Sequence, residues 1–128
     1  ARRLETVTQQ AVRIAGTGEK LPEPLPDEAA RDVCSVADDV ACAVDDVVTA
    51  VLGDDGTKAQ QARDRCDGAA EDIAAVERRL YDGAVSGPMP TTVALTDVLS
   101  HLRRTADCGR HMADTAASAA IRAENTDL

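Results

Sequence analysis

Residues 59–80 read A-Q-Q-A-R-D-R-C-D-G-A-A-E-D-I-A-A-V-E-R-R-L. Ala59, Ala62, Cys66, Ala69, Ile73, Val76 and Leu80 recur at spacings that alternate between 3 and 4. That is a period of 3.5, the pattern of a helix whose apolar seam faces neighbouring helices throughout its length. Strands, which alternate every second residue, do not produce it. The same rhythm extends on both sides. Leu95, Leu99, Leu102, Ala106, Gly109, Ala113, Ala116 and Ala120 form a second seam, tapering from Leu to Gly and Ala. The taper predicts a close approach of the neighbouring helix near Gly109. Before the first seam, Val33, Val36 or Ala37, Val40, Val44, Val47 and Val51 suggest a third stripe, with Asp pairs at 38–39 and 45–46 on the opposite face.

Breakers set the boundaries. Gly53-Asp54-Asp55-Gly56 is a turn, too short for a calcium loop and lacking its bidentate Glu. Gly83, Gly87, Pro88 and Pro90 close the next helix, and Thr91 or Thr92 offers an N-cap for the last. Helices are therefore expected at about 27–53, 57–85 and 91–124, forming an antiparallel, left-handed bundle with Pro26, Asp27 and Glu28 at its start. Upstream, Leu4, Val7, Ala11 and Ile14 predict a further helix over 1–16, ending at Gly16-Thr17-Gly18. Residues 19–26, with three alternating prolines, form an extended connector. The helix over 1–16 can fold back on the bundle or cross to a second copy. The reach of the connector favours the second copy, and hence association.

Composition agrees. Among 128 residues there are 24 Ala and 13 Val, one aromatic (Tyr81), and neither Phe nor Trp. Such a core suits close-packed helices far better than a pleated sheet. Net charge is −9, from 14 Lys plus Arg against 23 Asp plus Glu. That disfavours direct nucleic-acid binding and adsorption to anionic membranes. The skew to 16 Asp over 7 Glu and 12 Arg over 2 Lys reads as solvation for high salt, with a cationic partner as the alternative. No apolar run is long enough for membrane insertion. The absence of an initiator Met, with a helical pattern from the first residues, leads to the expectation that the chain is a piece of something longer. Cys34, Cys42, Cys66 and Cys108 form no C-x-x-C pair and sit at apolar helical positions. They are expected to be reduced core cysteines of a cytoplasmic protein.

Two segments share a pattern. Residues 3–15 read R-L-E-T-V-T-Q-Q-A-V-R-I-A and residues 101–113 read H-L-R-R-T-A-D-C-G-R-H-M-A. Setting Leu4 on Leu102 places Ala11 on Gly109, Ile14 on Met112 and Ala15 on Ala113. Both resemble the third helix of a PhoU repeat, close to L-E-R-I-G-D-x-A-x-N-I-A-E. Residues 102–114 keep Leu102, Arg104, Asp107, Ala113 and Asp114; residues 4–15 keep Leu4, Glu5, Val7, Ala11, Ile14 and Ala15. The resemblance implies that residues 1–18 end a truncated first repeat, 19–26 connect, and 27–124 are a PhoU-like three-helix bundle. It implies a non-enzymatic cytoplasmic regulator of phosphate or ion transport. Its partner would be a transporter or sensor protein; the homodimer is expected separately, from the uncovered stripe of Leu4, Val7, Ala11 and Ile14. The other readings are a structural dimerisation region of a larger regulator and a metal-binding bundle.

Some PhoU-like proteins bind iron or zinc through E/D-x-x-x-D pairs. Asp67 and Glu71 keep that spacing, and Asp107 adds a third carboxylate from the last helix. Arg103, where the pattern has a carboxylate, would repel a metal and could pair with Asp67. In the first helix Glu5 faces Gln9, half of a pair. His101 follows Asp97 by four residues and His111 follows Asp107 by four, on faces about 80° apart, which reads as structural or surface histidine. No P-loop, G-x-S-x-G or Glu-x-x-His motif occurs, so no catalytic residue or required cofactor is expected, with Zn or Fe the only candidate.

Overall fold

The computed structural model describes residues 27–82 and 89–126. The expected helix over 1–16 and the connector 19–26 lie outside them. Three helices account for nearly all the described residues: α1 (Asp27–Gly53), α2 (Gly56–Tyr81) and α3 (Met89–Thr126). There is no strand among the described residues. Each helix packs against both others. Cross-helix pairs fix the directions. Asp32 meets Arg79 while Asp46 meets Arg65, and Glu77 meets Arg103 while Arg63 meets Asp114. Neighbours thus run antiparallel, up, down and up.

α2 buries Ala59, Ala62, Cys66, Ala69, Ile73, Val76 and Leu80, the whole seam expected from its spacing. α3 buries Leu95, Leu99, Leu102, Ala106, Gly109 and Ala113 on its seam. It starts at Met89, so Thr91 and Thr92 fall inside the helix rather than capping it. α2 stops at Tyr81, short of 85. There Asp82 donates its backbone N–H to the Arg78 carbonyl at 2.9 Å, and Arg78 and Arg79 suit the negative end of the dipole.

The expected stripe on α1 needs correction. The buried positions are Ala29, Val36, Val40, Ala43, Val47 and Ala50. Val33 and Val44 are half-buried at the edge, and Val51 is exposed. The sequence reading followed the valines. The seam instead follows the heptad and takes Ala43 and Ala50, because small residues let the three backbones close up.

The core tapers. At the Tyr81 end, Ile73, Leu80, Leu95, Leu99 and Leu102 share one cluster. Each contributes roughly 1.5–3 kcal/mol by leaving water, so the apolar driving force is concentrated there. Towards the turn, the second cluster holds only Ala43, Val47, Cys66, Ala62 and Ala113, with Met112 against it. Close approach replaces bulk. A Cβ on Gly109 would lie 3.1 Å from Cys66 Sγ, and one on Gly56 would lie 2.8 Å from Ala120 Cβ. Only glycine fits at either point without a shift, as the taper anticipated for Gly109.

The turn itself is tight. Asp54 adopts φ 52°, the left-handed region that Asp tolerates better than most side chains. Asp55 caps α2, its Oδ1 accepting from the Lys58 backbone N–H at 3.1 Å.

Candidate functional site

The chemistry-bearing residues lie on the outer faces of the bundle, and α2 is their hub. It pairs with α1 through Arg65–Asp46 and Arg79–Asp32, the latter at 3.3 Å. It pairs with α3 through Glu77–Arg103 at 2.7 Å, Asp67–Arg110 at 3.2 Å and Arg63–Asp114 at 3.0 Å. In the last pair the Asp114 oxygen lies off the Arg63 N–H direction, so the attraction is ionic without a directed hydrogen bond. These pairs are half-exposed, and such contacts contribute about 0.2–1 kcal/mol each. They set the register of the helices more than their stability.

The three carboxylates considered for a metal have distinct surroundings. Asp67 faces the Arg110 guanidinium, and not Arg103, which reaches Glu77 instead. Glu71 and Asp107 are exposed. Among the described residues, no three His, Cys, Asp or Glu side chains gather where one ion could be held. His101 lies with Nε2 3.5 Å from Asp97 Oδ1, and His111 is exposed.

One carboxylate pair is unusual. Asp39 on α1 and Asp72 on α2 share a hydrogen bond, which raises the Asp39 pKa above its ordinary 3.8. Partial desolvation and the charges of Asp72 and Asp38 act in the same direction. The cysteines divide in two, against the expectation of four core thiols. Cys34 and Cys42 are exposed, whereas Cys66 and Cys108 are buried. Burial pushes the Cys66 thiol up to about 11, aided by Asp67 and Asp46. A thiol so held stays protonated and unreactive.

The sequence reading missed a second stripe on α1. Cys34, Ala37, Ala41, Val44, Val48 and Val51 repeat at 3, 4, 3, 4 and 3, beside the core seam and on the side of α3. The side of α1 towards α2 is fixed by Asp32, Asp39 and Asp46, so the second stripe lies on the other flank. Val44 confirms the placement, since it stands 3.7 Å from where a Gly109 Cβ would be. The signal was in the sequence. Apolar residues on α1 fill more of the heptad than one seam uses, and the valines of both stripes were merged into one. Val51, Leu52 and Ile121 are also exposed, towards the turn end.

Fold and surface together define a helical bundle with a charged outer face and one surplus apolar flank. None of the helices in the described residues is long and apolar enough to cross a membrane. Comparison with protein-family models, with characterised proteins and with solved structures finds no match.

Proposed function

We propose that this chain is a PhoU-like regulatory module, cytoplasmic and non-enzymatic, acting by protein–protein contact in phosphate or ion transport regulation. The observation that carries the reading is the helix built on residues 102–114. Its motif positions Leu102, Ala106, Gly109 and Ala113 are buried in an antiparallel three-helix bundle, and Arg104 and Asp107 are exposed. A helix with that division presents its polar motif residues to a partner and keeps its apolar ones for the fold. The helix expected over 1–16 from its apolar spacing belongs to the same reading. So does homodimerisation, supported by the large apolar side chains left exposed at the turn end.

The test is titration of the purified chain with the cytoplasmic domains of the phosphate transporter and of the phosphate sensor from its own host. Saturable binding in the micromolar range or tighter is expected, weakened by Arg104→Glu and Asp107→Arg. Absence of binding to either domain contradicts the reading. Sedimentation of the chain tests the dimer.

A further inference from the structure

The three helices do not end level. α2 starts at Gly56, where a Cβ would lie 2.8 Å from Ala120 Cβ, so the first residue of α2 already touches α3. α3 runs on from that contact to Thr126, about 9 Å of helix beyond the start of α2. This overhang and the turn Gly53–Gly56 form the two walls of a solvent-facing cleft of about 520 Å³. Ligand sites span about 300–1,000 Å³. Ala117, Ala120, Ile121 and Ala123 line the α3 wall, and Ile121 is 52 % exposed. Asp54 and Asp55 stand on the turn wall, and Glu124 stands on the α3 wall.

The cleft is anionic. Along the bundle, Asp32, Asp46, Asp67, Glu77 and Asp114 each meet an arginine. Asp54, Asp55 and Glu124 meet none among the described residues. No Lys or Arg lines the cleft. Lys58 lies in the groove on the α1 side of α2, with Asp46 and Arg65. Arg122 follows Cys108 by two heptads, on the flank of α3 away from Arg103 and Arg110, which meet α2. Neither α1 nor α3 carries a basic residue in its last turn. Two helix C-termini meet one N-terminus at this end, so the excess of the dipoles is negative as well.

We propose that this cleft docks a short basic segment of a partner protein, in which arginine or lysine alternates with aliphatic residues. The aliphatic side chains cover Ile121 and the alanines beside it. The cations meet Asp54 and Glu124 on the two walls, and Asp55 keeps one oxygen on the Lys58 N–H. A metal ion is a poor occupant, since no three ligating side chains gather on one point among the described residues. A second copy brought end to end would set acid against acid. Leu52, 82 % exposed and outside the cleft, remains for contact between copies. Ala120 is about 24 Å along α3 from Arg104, so this surface is separate from the partner contact proposed above and does not depend on it.

The probe is a fluorescein-labelled, amidated octapeptide that alternates arginine and leucine, titrated with the unaltered chain and followed by anisotropy. Saturable binding in the tens of micromolar is expected. Asn tolerates the left-handed φ of Asp54, and Glu124 is exposed, so Asp54→Asn with Glu124→Gln keeps the fold. That pair is expected to weaken binding at least about tenfold. Asp38→Asn with Glu71→Gln removes the same charge elsewhere and is expected to change binding less than about twofold. Equal weakening by both pairs would show attraction to net charge alone and overturn the proposal. So would the absence of saturable binding, or equal binding of the octapeptide with glutamate in place of arginine. Arginine amide binding as tightly as the octapeptide would assign the cleft to a small organic cation and overturn the peptide. Amide chemical shifts of the unaltered chain locate the contact. Shifts at residues 53–60 and 117–124 are expected on adding the octapeptide, and shifts confined to other residues overturn the site whatever the variants do.

Discussion

Gly109 on α3 and Cys66 on α2 stand so close that a Cβ on the glycine would lie 3.1 Å from the sulfur. Val44 and Val47 of α1 close the third side at 3.7 and 3.8 Å. Two effects compete in Gly109→Ala. Helix propensity favours alanine by up to about 1 kcal/mol. Overpacking costs about 1–3 kcal/mol, because the sulfur is hemmed in and cannot retreat. Packing wins, and Gly109→Ala is expected to destabilise by about 1 kcal/mol. In a Cys66→Ala background the obstruction is gone, and the same change is expected to stabilise by up to about 1 kcal/mol. Urea unfolding of the four chains checks the cycle. Equal effects in both backgrounds would show that the contact is not the constraint.

The turn makes a second demand. Asp55→Ala removes the acceptor of the Lys58 N–H and is expected to cost about 1 kcal/mol. Asp54→Val forces a β-branched residue to φ 52°, and is expected to cost more than Asp54→Gly. Thermal melts rank the three. A ranking with Asp54→Gly as the most damaging would contradict the backbone geometry.

Much of this was legible in the sequence, and for a physical reason. Along α2 every seam position is apolar and nearly every flanking position is polar, so only one face can turn inward. Gly109 could be placed at a close approach because its seam shrinks steadily towards Ala120. α1 misled because Val44 and Val51 are as apolar as Val40 and Val47, and spacing alone cannot say which stripe meets the core. The cysteines misled for a related reason. Thiols are compatible with either environment, and Cys34 and Cys42 lie outside the α1 seam. The ion pairs were out of reach, since Arg103 could reach Asp67 or Glu77 until the stagger of α2 against α3 was fixed.

Asp39 carries a pH dependence with a definite sign. Its folded pKa lies above the ordinary 3.8, chiefly because of its hydrogen bond with Asp72. The folded chain therefore binds that proton more tightly than the unfolded chain. Stability falls as pH rises through the window between the two values, and at neutral pH the two carboxylates repel. Asp39→Asn is expected to raise the melting temperature at neutral pH and to give no gain below pH 3.8. Because Asp39 is exposed, water screens the pair and the gain is limited to a few tenths of a kcal/mol. A lower melting temperature for Asp39→Asn at neutral pH would reverse the sign argued here.

Charge repulsion predicts salt dependence for the whole chain. With a net charge of −9, screening at about a 3 Å Debye length in molar salt relieves repulsion among the exposed aspartates. The interhelix pairs weaken at the same time, but each contributes under about 1 kcal/mol. The melting temperature is expected to rise from dilute buffer to molar monovalent salt. A flat or falling curve would mean that the ion pairs around α2 outweigh the repulsion.

The central claim, that the bundle regulates phosphate transport by contact, is tested most directly in the host. In-frame removal of the segment encoding residues 27–126 should be followed by measurement of phosphate uptake against external phosphate. A PhoU-like regulator predicts that uptake responds differently, shifting at least about twofold at high phosphate, a coupling near 0.4 kcal/mol. Complementation by the unaltered chain should reverse the shift, and the Arg104→Glu, Asp107→Arg chain should not. An uptake curve that superimposes on the parent over the whole range would contradict the claim.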